Sequence, residues 1–198
     1  MAHALYTIGY SGFPDPEDFV DVLKANAINA LVDVRGFPNL ASFEHYKGDN
    51  LRKALNANGI HYLSFASEFG VRPKEDKFYT DDMVDFGKIA ASECFRSGCE
   101  RIFKGLEKYT ICLMCAEKNP AVCHRGVFLT HVLEKLKPGL DIRHILPDRI
   151  ITQRDIDADL KKRYALLDGS LEICYKLHGR SIAWRRKARP ADNWEQEK

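Results

Sequence analysis

YTICLMCAEKNPAVCHRGVFLTHVLEKL, Tyr109–Leu136, passes from a short apolar run through a polar loop into a segment of helical period. The run ending at Cys115 has the length and composition of a buried strand, and Asn119 followed by Pro120 is a helix-start signal. Beyond it Val122, Gly126, Leu129, Leu133 and Leu136 recur at spacings of 4, 3, 4 and 3, which predicts one continuous helix with an apolar stripe. Strand, short loop and helix in this order are the first two thirds of a βαβ unit. The fold class therefore depends on whether the rest of the chain repeats the unit.

Working outward, the run Leu5–Gly9 breaks at "GYSG", and "DPEDFVDVLKANAI" carries Asp15 as N-cap, Pro16 at the first helical position and acids in the first turn. "ALVDVRGFP" reads as a second strand stopped by Gly36 and Pro38. "DNLRKALNANGIHYL" reads as a helix closed by Gly59 and a third strand at Ile60–Leu63. A polar loop follows to about Tyr79, then a helix from Thr80 to Ala91 and another over Cys99–Lys108. "DIRHIL" is a fifth strand, and Thr152 with Asp155 opens a last amphipathic segment to about Leu167. Alternating strands and helices of these lengths predict a doubly wound α/β fold, with a mostly parallel sheet of about five strands and flanking helices.

The 198 residues suffice for one such domain, placed at 1–167, with 168–198 as a basic C-terminal extension. A net charge of +2 hides that asymmetry: from Ile173 to Ala191 there are six Lys or Arg and no acid. Six cysteines are few for a disulfide scaffold of this length, and "MAHALYTIGYSG" lacks the basic and apolar regions of a secretory signal, so a reduced cytoplasmic protein is expected. No apolar run approaches the roughly 18 residues that span a bilayer, and no membrane partner is expected.

The chemistry-bearing residues gather at strand ends. Cys112 and Cys115 sit inside one strand, so they point to opposite faces with Cα atoms roughly 10 Å apart, too far for a disulfide or a shared metal. Cys112 reads as a core thiol. Cys115 stands at the strand's carboxyl end, where open α/β sheets bind ligands, ahead of Glu117. Cys123, His124 and Arg125 are expected in the first turn of the next helix, where unpaired N–H groups and the dipole favour an anion and a low thiol pKa. Asp33, amid the apolar residues of strand two, needs a partner, which Arg35 or Arg125 can supply. Arg35, with Tyr10 and Ser11 of the "GYSG" turn, is expected to face the same cleft. His61 and His144 fall in apolar strand patterns and read as core histidines; Glu44, His45 and Arg72 are loop residues without an assigned role.

"YTIGYSG", "LVDVRGFP", "GIHYL", "SEFG", "CLMCAEKNPAVCHR" and "IRHILPD" together resemble domain-of-unknown-function family 488 (DUF488), in order from about Leu5 to about Leu160. The resemblance implies a compact α/β domain of bacterial and archaeal cytoplasm with no established reaction. It also implies a motif of Cys115, Glu117, Cys123, His124 and Arg125 that does not require Cys112, whereas Gly126 departs from the commoner polar residue.

Three function classes follow. The first is an enzyme that grips a phosphate-bearing substrate, nucleotide or nucleic acid, with Arg35, Arg125, Tyr10 and Ser11. In it Cys115 or Cys123 is the nucleophile and His124 or Glu117 the acid/base. The nine residues between Cys115 and Arg125 exclude the Cys-x5-Arg loop of cysteine phosphatases and sulfurtransferases. The second is a zinc site using Cys115, Cys123 and His124, against which stands the divergence of about 100° between adjacent helical residues. The third is a nucleic-acid-binding module acting through the basic extension, with Trp184 stacking a base.

Overall fold

The computed structural model describes residues 4–165 and 170–186. Its centre is a six-stranded sheet built from β1 (Leu5–Gly9), β2 (Ala30–Asp33), β3 (His61–Ser64), β6 (Ile111–Cys115), β7 (Ile142–Ile145) and β8 (Ile150–Thr152), in the order β3-β2-β6-β1-β7-β8. All neighbours are parallel except β7 and β8. The fold is therefore α/β with a mostly parallel sheet, as the sequence predicts. β8 is a sixth strand hidden from sequence reading, because three half-exposed residues show no period. A separate hairpin is formed by β4 (Tyr79–Thr80) and β5 (Met83–Val84).

Helices cover both faces. On one, α1 (Pro16–Ala25) and α2 (Gly48–Ala57) bury Phe19, Leu23, Leu51 and Leu55 against Tyr6, Ile8, Leu31, Cys112 and Met114 of the sheet. On the other lie α3 (Ala66–Phe69), α4 (Phe86–Ala90), α5 (Glu93–Gly105) and α6 (Thr130–Leu136), packed on Leu5, Val32, Leu113 and Cys115. β6 thus alternates as a strand must, sending Cys112 to the α1/α2 face and Cys115 to the α5/α6 face. The chain leaves β1 for α1 on one face and β6 for α6 on the other, so a crevice opens between the carboxyl ends of these adjacent strands.

Caps explain several helix starts. Asp15 accepts from the Glu17 amide, and Thr152 with Asp155 forms the capping box of α7 (Gln153–Arg163). Gly59 takes φ +73° after α2, a left-handed conformation suited to glycine. The helix read from Thr80 starts later: Thr80 belongs to the hairpin, whose turn residues Asp81 and Asp82 have positive φ, and Asp85 caps α4 through the Gly87 and Lys88 amides. The helix read from Cys99 starts earlier, at Glu93, because Ser92 accepts from the Phe95 amide. Beyond the boundary read near residue 167, α8 (Leu171–Ile182) packs Cys174 and Tyr175 against Val127, Ile156 and Leu160. Further on, Arg186 pairs with Asp76, while Lys187–Ala191 of the basic stretch lie outside the described residues. No helix among the described residues is long and apolar enough to cross a membrane.

Candidate functional site

The segment expected as one helix from Asn119 is broken at the residue that matters most. Asn119 accepts from the Ala121 amide and caps only a single 3-10 turn, Pro120–Val122. Cys123 is then extended, at φ −122° and ψ 141°, and the helix resumes at His124 with a π-helical turn over Arg125–Leu129 that leads into α6. The expected stripe fails at both ends, where Val122 and Leu136 are exposed. The break removes the objection to convergence. Because Cys123 is not helical, its side chain and that of His124 point to one place, and the donor atoms of Cys115, Cys123 and His124 all lie within 4.8 Å of one another.

Glu117 completes the group: its Oε2 is 3.1 Å from Cys115 Sγ and 2.9 Å from Cys123 Sγ. His124 Nε2 lies 3.3 Å from the Val34 carbonyl, which can only accept, so in the neutral ring the proton is on Nε2. The Nδ1 lone pair then faces Cys115 Sγ, 3.6 Å away. Charge is distributed unevenly over the group. The hydrogen bond with Cys123, burial and the charge of Glu117 push the Cys115 thiol up. Burial alone would raise Cys123 too, but the hydrogen bond from Cys115, Arg125 and His124 outweigh it and hold that thiol well below its ordinary range. Burial, then the negative charge of Cys123, push the Glu117 carboxyl up. The two shifts run in opposite directions, the inner thiol held down and the carboxyl pushed up.

Arg125 lies beneath the loop rather than in the cleft. Fully buried, it donates to the carbonyls of Glu117 at 2.5 Å and Lys118 at 3.1 Å, and to Thr7 Oγ1 at 3.3 Å. From Thr7 the bonds continue in one direction. Thr7 donates to His144 Nδ1 (2.8 Å), His144 Nε2 to Gln153 Oε1 (3.0 Å), Gln153 Nε2 to Tyr175 Oη (2.6 Å), and Tyr175 to Asp157 (2.6 Å). His144 is thus the satisfied core histidine expected, whereas His61 is exposed on the edge strand β3, a correction. Gly9 lets the loop pass, since a Cβ there would sit 1.8 Å from the Glu117 carbonyl oxygen. Gly126 is confined as well, since a Cβ there would sit 2.4 Å from the Pro120 carbonyl oxygen.

Over this group opens a cleft of about 160 Å³, lined by Cys115, Glu117, His124, Tyr10, Arg35 and Arg72, with Phe37, Leu40 and Val71 along its mouth. Asp33 finds its partner in Arg35, which donates to it through Nε (2.8 Å), Nη2 (2.6 Å) and its backbone amide (3.1 Å), while Tyr62 adds a fourth bond at 2.7 Å. Arg35 also donates to the Tyr46 carbonyl and lies against the Tyr10 ring, yet its buried Nη1 has no hydrogen-bond partner. Arg72, given no role from sequence, stands exposed at the mouth with its guanidinium 5.5 Å from the Trp184 ring centroid. Trp184 is itself half-buried against Tyr79. Only the packing of two loops that are distant in sequence brings Arg72 here. Ser11, by contrast, is exposed and outside the cleft lining, tied to the loop through its amide bond to the Ala116 carbonyl.

A family model described as "Domain of unknown function DUF488" matches residues 15–132, more than half of the chain. The chain belongs to the DUF488 family. The matched region spans the cleft residues Arg35, Arg72, Cys115, Glu117 and His124 together with Cys123 and Arg125 of this DUF488 domain. No curated protein and no solved structure matches the chain.

Proposed function

We propose that the cleft is the active site of a thiol enzyme acting on a phosphate-bearing substrate. The observation that carries this is Cys115 Sγ at the floor of a cleft rimmed by Arg35 and Arg72, between a basic imidazole nitrogen and a carboxyl group. Arg35 Nη1 and Arg72 supply donors and positive charge to the anion. At about 160 Å³ the cleft is smaller than the roughly 300 Å³ of ordinary small-molecule pockets, so it takes the reacting group alone. The base and sugar of a nucleotide, or the flanking strand of a nucleic acid, stay outside.

In this reading Cys115 gives its proton to His124 Nδ1 and its sulfur attacks the electrophilic centre. The bond to the leaving oxygen breaks, and Glu117, whose affinity for a proton is raised by burial and the neighbouring Cys123 charge, acts in its protonated form and gives that oxygen its proton. Water then displaces the sulfur, returning one proton to Glu117, and His124 returns the other to the thiolate. Cys123 acts on Glu117 rather than on substrate. Titration with inorganic phosphate and a nucleoside monophosphate tests the anion grip: Arg72→Ala should weaken both about tenfold, and Cys115→Ser should leave binding intact. Equal affinity in Arg72→Ala and the unaltered chain rejects the reading.

The convergence allowed by the extended Cys123 favours a second reading, in which Cys115, Cys123 and His124 hold zinc. Three protein ligands with a fourth position turned to a cleft is a catalytic zinc arrangement, and the Nε2–H of His124 on the Val34 carbonyl is the outer bond such ligands make. Elemental analysis separates the two: about one zinc per chain, lost in Cys123→Ser, supports this reading, and its absence after purification without chelators supports the first. A nucleic-acid role for the basic stretch 173–191 would be seen as oligonucleotide affinity that falls log-linearly with salt.

A further inference from the structure

A second cavity, about 600 Å³ and sharing no lining residue with the cleft, lies between the β4–β5 hairpin, α4, α6 and α8. Its volume falls within the roughly 300–1,000 Å³ of small-molecule sites. Phe86 and Phe128, stacked with centroids 4.6 Å apart, line it together with Val84 and Val132. Against this apolar lining stands one buried polar atom without a short hydrogen bond in the described chain. His131 stacks on Tyr175 at 3.7 Å, and its buried Nε2 has no hydrogen-bond partner. Glu172 Oε2 is 3.5 Å away, a long contact, and Lys135 holds that carboxylate at 2.7 Å. Burial pushes the His131 pKa down, so the ring is a neutral donor or acceptor inside the cavity.

Charge at the mouth is biased. Of the acids lining the cavity, Glu172 is paired with Lys135 and Asp85 is occupied as the cap of α4. Lys176 and Arg180, one turn apart on α8, remain. Lys176 has no acid partner among the described residues, and Arg180 reaches Asp81 only at 3.5 Å between two exposed side chains.

We infer that this cavity is a ligand site for an amphipathic anion: a flat apolar body against Phe86 and Phe128, a hydrogen-bonding group at His131 Nε2, and an acidic group at Lys176 and Arg180. Nothing in the proposed chemistry of the cleft uses these residues.

The test uses the full chain and two probes of one shape class, 1-naphthalenesulfonate as the anion and 1-naphthol as its neutral counterpart. Isothermal titration should give one site per chain with the anion at least tenfold tighter. Lys176→Glu with Arg180→Glu should abolish that preference while leaving naphthol binding unchanged. Val132→Trp, which fills the cavity from the partly exposed side of α6, should remove both. In nuclear magnetic resonance the His131 imidazole should shift on saturation, while the cleft's His124 does not. Equal affinity for the two probes, binding that survives Val132→Trp in a folded variant, or an unmoved His131 overturns the proposal. So does probe binding that weakens as protein concentration and sedimenting mass rise together, which would give the groove to a second copy.

Discussion

Arg125 holds the carbonyl of Glu117 at 2.5 Å from a guanidinium with no solvent exposure and no ion pair among the described residues. A buried cation in this state is stabilised by what it bonds and by neighbouring groups that can carry negative charge, here the inner thiol Cys123, whose pKa Arg125 helps to hold down. Arg125→Met keeps the apolar stem but strands two carbonyls, while the Thr7 hydroxyl keeps its bond to His144. At roughly 1–3 kcal/mol for each buried group left unpaired, the variant should lose about 2 kcal/mol or more of unfolding free energy in urea. A loss under about 1 kcal/mol would mean that water replaces the guanidinium without penalty.

His144 makes folding sensitive to acid. Burial, then the Arg125 charge, hold its pKa down to about 3, against about 6.5 when unfolded. The unfolded chain therefore binds the proton first as pH falls. Stability from this group is fully present above about 6.5 and is lost progressively as pH falls to about 3, at up to about 1.4 kcal/mol per pH unit. Protonation would also place a hydrogen on Nδ1, against the hydroxyl that Thr7 already donates there. His144→Gln should be less stable at pH 7 but show a flatter decline between pH 6.5 and 3.5, measured by urea midpoints along the pH series. Parallel curves for the two proteins would contradict the assignment.

What the sequence revealed here followed from local rules, and what it concealed depended on packing. The α1 start, the Gly59 stop and the opposite facing of Cys112 and Cys115 need only capping, backbone φ and the two-residue strand period. Asp33 with Arg35 was visible as an acid that needed a partner two residues away on one face. The break at Cys123 was not visible, because Asn119–Pro120 signals a helix start equally well for one turn or for five. Arg72 was hidden for another reason: nothing local distinguishes a loop arginine that reaches a cleft from one that does not. Arg125 read as an anion-binding residue because its charge was legible and its burial beneath the loop was not.

Thiol labelling should follow exposure and charge in a defined order. Cys94 is exposed, Cys115 borders the cleft, and Cys112 is fully buried with its thiol pushed up by burial. Iodoacetamide with mass mapping of the native chain should modify Cys94 first, Cys115 next and Cys112 only on unfolding. Because the Cys115 thiol is raised, its labelling rate should keep climbing above pH 9 instead of reaching a plateau near neutrality. Labelling of Cys112 as fast as Cys115 would contradict the β6 facing.

Gly9 offers the sharpest test of how the fold holds the site. It ends β1 beside Cys115 of β6, and the returning loop crosses so close that a Cβ would stand 1.8 Å from the Glu117 carbonyl oxygen and 2.5 Å from its carbon. Backbone cannot yield as a flexible side chain can, so Gly9→Ala must displace the loop that carries Glu117 while the sheet beneath keeps Cys115 in place. The expected result is a chain destabilised by about 1–3 kcal/mol, in the range of overpacked cores, that still folds at low temperature. With Glu117 moved off the two sulfurs, Cys115 should alkylate several-fold faster at pH 8, since the carboxyl's charge is one of the influences raising its thiol. Gly12→Ala is the control, because its nearest neighbours at 3.1 and 3.2 Å are side-chain atoms of Pro147 and Lys118, and it should change stability by less than about 1 kcal/mol. If Gly9→Ala and Gly12→Ala label Cys115 at the same rate, Glu117 does not set the reactivity of that thiol, and its place as the acid in the cleft is lost.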